Sequence, residues 1–142
     1  MQIFRVTCLS FSLMLFLWDM PDIVLAQYSS AVALGQQQFQ SYCATCHGPK
    51  AKGDGPSGAF LTIKPSDLTQ LRKHNGGTFP FVRTYEQIDG SSRTVVAGHG
   101  TTDMPIWGDV FRRDRGTAEQ WLLGTSGRLL SLLHYLESIQ EE

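Results

Sequence analysis

The chain is poor in cysteine: its 142 residues include three, namely Cys8, Cys43 and Cys46. A structural zinc site uses four cysteine or histidine ligands, typically in two paired clusters, and no second C-x-x-C pair is present. A thioredoxin-type dithiol lies at a strand-to-helix turn of a βαβ unit, and no such alternation surrounds Cys43. These absences argue against a zinc module and against a dithiol oxidoreductase.

The chain also lacks a hydrophobic run long enough to cross a membrane. Its apolar stretch from Val6 to Trp18 falls short of the roughly 20 residues that a spanning helix needs. Arg5 precedes this stretch and the small residue Ala26 ends the segment, which is the pattern of a secretory signal. We therefore predict a cleavable signal peptide over residues 1–26 and one domain over residues 27–142, with an uncleaved anchor as the alternative.

Neither sign of charge is in excess. The chain has 12 lysines and arginines against 13 aspartates and glutamates, which gives a formal net charge of −1. This balance gives no reason to expect binding to nucleic acid or to a membrane surface.

What the sequence does contain is the run Cys43-Ala44-Thr45-Cys46-His47. C-x-x-C-H is the pattern of covalent haem attachment. Two cysteines three residues apart lie on one helical turn, so both thiols can add to the two vinyl groups of one porphyrin. The histidine that follows them lies close enough to bind the iron. We therefore interpret the chain as a c-type cytochrome with one covalently bound haem c.

Met104 is the predicted ligand of the iron on the face opposite His47. It is the only methionine after the predicted cleavage site, and it lies in a loop that Pro105 stiffens. His99 in the same loop is the competing ligand, and an open sixth position is the third possibility. Because a ligating histidine needs an acceptor for its second ring N–H, we expect a backbone carbonyl of the loop 48–65 to bond His47.

Helical periodicity dominates the rest of the sequence. Residues 31–46 are expected to form a first helix capped at Ser29-Ser30, followed by short helices over residues 66–73, capped by Ser66, and 79–88. The last helix has one apolar stripe, which consists of Leu129, Leu132, Leu133, Leu136 and Ile139. No strand ladder is visible. The predicted fold class is all-α, with four or five short helices packed around the haem.

In the order of its motifs the chain resembles the class I, single-haem cytochromes c of bacteria. The resemblance covers residues 31–140 and rests on Gly35 and Phe39, on Lys52-Gly53-Asp54-Gly55-Pro56, on Met104-Pro105-Ile106-Trp107-Gly108 and on Tyr135-Leu136. It implies that Gly35 and Phe39 pack against Tyr135 and Leu136 where the first and last helices cross.

The resemblance also implies roles around the haem. The carbonyl of Pro56 would accept the N–H of His47. Trp107 would either donate its indole N–H to a haem propionate or pack as a core aromatic. Arg83 and Arg93 are expected to be solvated, with the propionates as their alternative partners. The polar segment 112–127 is longer than a minimal member needs, and it is expected to be a loop or part of a docking surface.

The function that follows is one-electron transfer, without enzymatic activity, by a periplasmic monomer that exchanges electrons with redox protein partners. No nucleic acid and no stable membrane insertion after cleavage are expected. Two alternatives remain open. One is a haem enzyme or gas sensor with an open distal site, and the other is a dedicated cytochrome subunit of a dehydrogenase or oxidase complex.

Overall fold

A computed structural model describes residues 20–91, 104–114 and 117–142, and the regular structure within these residues is helical. The helices are α1 (Met20–Gln38), α2 (Ala44–His47), α3 (Leu71–His74), α4 (Phe81–Asp89), α5 (Trp107–Arg113) and α6 (Ala118–Ser138). A π-turn over Phe39–Cys43 joins α1 to α2, and 3₁₀ turns cover Pro56–Phe60 and Leu68–Gln70. The all-α prediction is confirmed.

The chain divides into two units, residues 1–30 and 31–142. Of the first unit, residues 20–30 are described, and the predicted cleavage after Ala26 stays a prediction. Ser29 and Ser30 were expected to cap the first helix, and this is wrong, since α1 begins before them at Met20. Their hydroxyls donate to the Ala26 carbonyl at 2.9 and 2.8 Å, as serines inside a helix often do.

None of the helices in the described residues combines the length and the apolar character that a membrane span requires.

α1 and α6 cross at Gly35, where their backbones come into contact. A β-carbon added to Gly35 would lie 2.8 Å from the β-carbon of Tyr135 and would overlap the Ser131 carbonyl oxygen. One turn further along, the rings of Phe39 and Tyr135 pack with their centroids 5.3 Å apart. The expected packing of Gly35 and Phe39 against Tyr135 is confirmed.

The apolar stripe of α6 forms the centre of the core. Its buried members are Leu129, Leu132, Leu133 and Leu136. The helix has a kink at Gly124, whose φ of 62° is left-handed. The segment 112–127 was expected to be a loop or part of a docking surface. Most of it is helical, because α5 ends at Arg113 and α6 begins at Ala118.

The π-turn lies between residues that pack against α6 and the attachment motif. Before and at the start of the turn, Gln38 and Phe39 are buried, and Gln38 bonds to residues of α6. At its end and beyond it, Cys43 and His47 line a cavity whose wall also includes Phe39 and residues of α6. A π-turn holds an extra residue per turn, and such turns are frequent at functional sites.

The loop after α2 is held by backbone hydrogen bonds to that short helix. Gly53 donates to the His47 carbonyl at 2.8 Å, and Gly55 donates to the Cys46 carbonyl at 3.1 Å. The 3₁₀ turn over Leu68–Gln70 is capped by Asp67, whose carboxylate accepts from the Thr69 N–H at 2.9 Å. The prediction that Ser66 caps this segment is therefore wrong. Asp67 forms the cap because its carboxylate accepts hydrogen bonds from both the N–H and the hydroxyl of Thr69.

The predicted helix over residues 79–88 is present as α4, which ends at Asp89. Gly90 follows with a φ of 88°, and its N–H bonds to the Glu86 carbonyl. A left-handed glycine is a common way to end a helix, and α4 ends one residue beyond the predicted bound.

Candidate functional site

A cavity of about 500 Å³ lies beside the attachment motif. It is walled by residues from the α2 region, from the segment 61–75, from α4, from the segment 104–107 and from α6. Apolar side chains predominate, and they include Phe39, Leu61, Ile63, Leu68, Leu71, Ile88, Leu132 and Leu136. Cofactor pockets typically measure roughly 300–1,000 Å³ and have mostly apolar walls, and this cavity has both properties.

Both cysteines of the motif line the cavity. Cys43 is 8% exposed, and Cys46 is half-buried. Burial, and then the neighbouring Cys46, raise the pKa of the Cys43 thiol to about 12, so this side chain is uncharged at neutral pH. A thioether is also uncharged, so the buried position suits a covalent link to an apolar ring.

The ring of His47 is oriented by a backbone carbonyl. Its Nδ1 lies 3.0 Å from the Ser66 carbonyl oxygen, and the residue is 8% exposed. With Nδ1–H donated to that carbonyl, Nε2 is the nitrogen that can bind a metal. The expected carbonyl partner is present, and it lies one residue beyond the loop named in the sequence analysis.

The assignment of that carbonyl to Pro56 is wrong. Pro56 is the first residue of the 3₁₀ turn that runs to Phe60, is exposed, and does not line the cavity. The hydrogen bond from Gly55 to Cys46 directs the chain into that turn. The chain returns to this region at Pro65, because a β-carbon added to Gly53 would overlap the Pro65 carbonyl oxygen. The next residue, Ser66, then presents its carbonyl oxygen to Nδ1 of His47.

Met104 and Trp107 line the same cavity as the attachment motif. Met104 is half-buried and lies just before α5, and Trp107 is the first residue of that helix. The Trp107 ring packs edge-on to Tyr42, with centroids 5.8 Å apart, and lies 5.6 Å from the Phe111 ring. Trp107 therefore belongs to an aromatic cluster that also forms cavity wall.

The other predicted residues differ in where they lie. Arg83 is exposed on α4 and lines the cavity, whereas His99 and Arg93 lie outside the described residues. His74, at the end of α3, lines the cavity although the sequence analysis did not connect it with the site. His134 is not among the lining residues; its ring lies 5.6 Å from that of Phe81.

Two further polar residues of the cavity were not found from the sequence. Gln87 of α4 lines the cavity, and its Oε1 is buried without a hydrogen-bond partner among the described residues. Tyr42 also lines the cavity, and its hydroxyl donates to the Asp114 carboxylate at 2.5 Å. This bond and then burial raise the pKa of Tyr42. Tyr42 directly precedes Cys43, and Gln87 lies in the predicted helix over residues 79–88. Sequence spacing alone does not show that either side chain reaches the cavity.

The residues present fit a covalently bound haem. The two thiols, the oriented imidazole and a thioether line one apolar cavity of suitable size.

Comparison with known proteins places the chain in a family. The family model described as Cytochrome c matches residues 32–106, just over half of the chain. No curated protein and no solved structure matches the chain.

Proposed function

The chain belongs to the cytochrome c family, whose members transfer electrons through a covalently attached c-type haem, and we propose that it is a freely exchanging, periplasmic electron carrier with His/Met ligation. The single observation that carries the ligation is the cavity, because its wall includes Cys43, Cys46 and His47 together with Met104.

In this proposal Cys43 and Cys46 hold the haem by two thioether bonds, and His47 binds the iron through Nε2. The bound haem supplies one-electron cycling between ferric and ferrous iron. The Ser66 carbonyl fixes the plane of the His47 ring and keeps the imidazole basic, because it accepts the proton-bearing Nδ1.

Met104 takes the sixth position. A thioether ligand favours the ferrous state and raises the reduction potential relative to a second histidine. The apolar walls from α4 and α6 act in the same direction, since they exclude water from around the haem. With His47 and Met104 both on the iron, no coordination site would be open to substrate, which supports a carrier function.

Among the lining residues, Arg83 and Trp107 have donors suited to the haem carboxylates. Arg83 is exposed and lines the cavity, so its guanidinium can bind a carboxylate at the rim. Trp107 would donate its indole N–H there, while its ring remains packed against Tyr42 and Phe111.

The test of the ligation is the visible spectrum of protein exported by a haem-attaching host, recorded oxidised and reduced, with and without carbon monoxide. We expect a low-spin spectrum, a weak far-red sulfur–iron band in the oxidised form, and no response to carbon monoxide. Met104→Ala should abolish the far-red band, lower the reduction potential and allow the reduced protein to bind carbon monoxide.

The matched control is His74→Ala, because His74 lines the same cavity and should leave the far-red band intact. A low-spin spectrum without that band in the wild type would replace Met104 by a histidine, either His74 or His99. A high-spin spectrum that shifts with carbon monoxide would overturn the carrier function in favour of catalysis or gas sensing.

The location has its own test. The predicted signal peptide and the oxidising space in which haem is joined to thiols support export to the periplasm. Cell fractionation followed by N-terminal sequencing of the mature protein should find the domain in the periplasm with Gln27 as its first residue. Retention of the full chain in the membrane fraction would instead mean an uncleaved anchor.

A further inference from the structure

A buried arginine lies outside the haem cavity, at the junction of α1, α5 and α6. Arg128 of α6 is 1% exposed, and its Nε donates to Gln38 Oε1 at 2.9 Å. One terminal nitrogen donates to the Asp114 carbonyl at 2.9 Å, and the other lies 3.4 Å from the Asp114 carboxylate. Its guanidinium carbon lies 4.1 Å from the centre of the Phe111 ring. The charge is therefore paired, hydrogen-bonded and stacked.

These contacts bind both the body and the end of α5. Phe111 lies in the last turns of that helix, and Asp114 is the residue that follows it. The opposite end of the helix begins at Trp107, three residues after Met104. Arg128 therefore holds the C-terminal side of the helix whose N-terminal side carries the proposed iron ligand.

Tyr42 extends the same network to the cavity wall. Its hydroxyl donates to the Asp114 carboxylate oxygen that also faces Arg128. Its ring packs edge-on against Trp107 at 5.8 Å and against Phe111 at 5.4 Å. The Tyr42 ring thus supports the first turn of α5 from the cavity side. A shift of Asp114 would remove the hydrogen bond that holds this ring in place.

We propose that Arg128 is a positioning residue for Met104: by fixing Asp114, Phe111 and Tyr42 it holds α5 in place and sets how firmly the thioether stays on the iron. This inference rests on the proposed His/Met ligation. It assigns a ligand-holding role to a residue that is not part of the cavity wall.

The physical basis separates ligand retention from overall stability. Removal of one partner of a buried ion pair destabilises a protein chiefly where the other charge is left buried and unpaired. Asp114 is 36% exposed at its side chain, so water can solvate its carboxylate once Arg128 is replaced by an apolar residue. Gln38 Oε1 loses its donor in such a variant, so the denaturation midpoint is measured beside the imidazole affinity. What such a replacement removes is the three-point geometry that fixes the end of α5.

The experiment uses the exported holoprotein and measures the affinity of the ferric form for imidazole, followed by the loss of the far-red sulfur–iron band. Imidazole binds only where Met104 has left the iron, so its apparent affinity reports the population of that state. We expect Arg128→Met to tighten imidazole binding about tenfold, since the released state becomes more populated. Arg128→Lys keeps the charge without the planar fork and should lie between it and the wild type.

The matched control is Arg112→Met. Arg112 is an exposed arginine on α5 that pairs with Asp109 on the same helix, so its loss removes one charge without touching the network. Far-UV circular dichroism and the denaturation midpoint of each variant are measured in parallel. The inference requires that imidazole affinity change in Arg128→Met while the helical signal in the absence of imidazole stays that of the wild type.

An imidazole affinity in Arg128→Met equal to that of Arg112→Met would overturn the inference and leave the proposed ligation intact. Absence of the far-red band in the wild type would overturn the ligation, and the inference with it. If Arg128→Met does not fold, Arg128→Lys decides: an affinity equal to that of the wild type overturns the inference, and a tighter one supports it.

Discussion

Gly35 and Ser131 are in direct backbone contact: a β-carbon at Gly35 would lie 2.5 Å from the Ser131 carbonyl carbon and would overlap its oxygen. This contact sets the closest approach of α1 and α6. It also places Phe39 against Tyr135, so the geometry of the attachment helix depends on the absence of one side chain.

Gly35→Ala should therefore destabilise the fold by about 3 kcal/mol, because the backbones must separate to admit a methyl group. Chemical denaturation of the holoprotein measures the loss. Gly127→Ala in α6 is the control, since the contacts of its β-carbon would be with the exposed Leu123 side chain, at 3.0 Å and beyond. Equal losses in the two variants would mean that the crossing is looser than the structure indicates.

The Ser66 carbonyl can be displaced from His47 without changing either residue. Gly53 has a φ of 75°, and a β-carbon there would overlap the Pro65 carbonyl oxygen and lie 3.2 Å from the Ser66 carbonyl carbon. Gly53→Ala should cost about 2 kcal/mol of stability through strain and overlap. It should also raise the reduction potential, because a weaker bond to Nδ1 leaves His47 a less basic ligand.

Gly76→Ala separates the two causes in this prediction. Gly76 has a φ of 66°, and no atom of the described residues lies within 4 Å of the position that a β-carbon would take there. The change therefore adds backbone strain without overlap. It should reduce stability and leave the potential, measured by redox titration, as in the wild type. An unchanged potential in Gly53→Ala would show that the Ser66 contact does not tune the haem.

Asp67 gives the fold a dependence on acid. Burial raises the pKa of its carboxyl, but the hydrogen bonds from Thr69 and the Lys52 ammonium 3.9 Å away outweigh it, and the net pKa lies below its ordinary value. A carboxyl with a lowered folded-state pKa stabilises the protein above its unfolded value and loses that contribution as the pH falls through the folded one. Asp67→Asn should cost about 0.5 kcal/mol at pH 7, because the pair is partly exposed.

The difference between wild type and Asp67→Asn should shrink below about pH 4, as the wild-type carboxyl takes up a proton. Thermal unfolding of both proteins between about pH 2 and pH 7, which includes the ordinary pKa of a carboxyl group, measures this difference in stability. Glu86→Gln, which removes an exposed carboxylate on α4, is the control for charge alone. A stability difference for Asp67→Asn that is constant with pH would contradict the prediction.

Residue-to-residue periodicity carried the prediction of the helices, and the resemblance to the cytochromes c carried that of their main contact. The leucine stripe of α6 repeats at helical spacing, and Gly35 and Phe39 lie one turn apart on the face that meets it. The spacing of Cys43, Cys46 and His47 is likewise local, so the haem site could be predicted from a five-residue window.

The errors arose where the chain returns to itself. Every residue has a carbonyl, so the sequence does not show that the loop passes Pro56 by and presents Ser66 to His47. The buried Arg128 was equally invisible, because it follows a polar segment and its partners Gln38 and Asp114 lie 90 and 14 residues away. Such contacts depend on tertiary packing, which local pattern does not encode.

The π-turn at Phe39–Cys43 has a consequence for chain length. Each residue of a regular helix adds about 100° of rotation, so the residue inserted here sets the rotation between Gln38, which bonds to α6, and the attachment motif, which lines the cavity. Gln40 and Ser41 are exposed, and the Gln40 side chain donates to the Pro49 carbonyl at the surface, so substitutions there should cost little stability. Deleting either one would rotate the attachment motif by about 100° relative to Gln38, so at these positions a missing residue matters more than a wrong one.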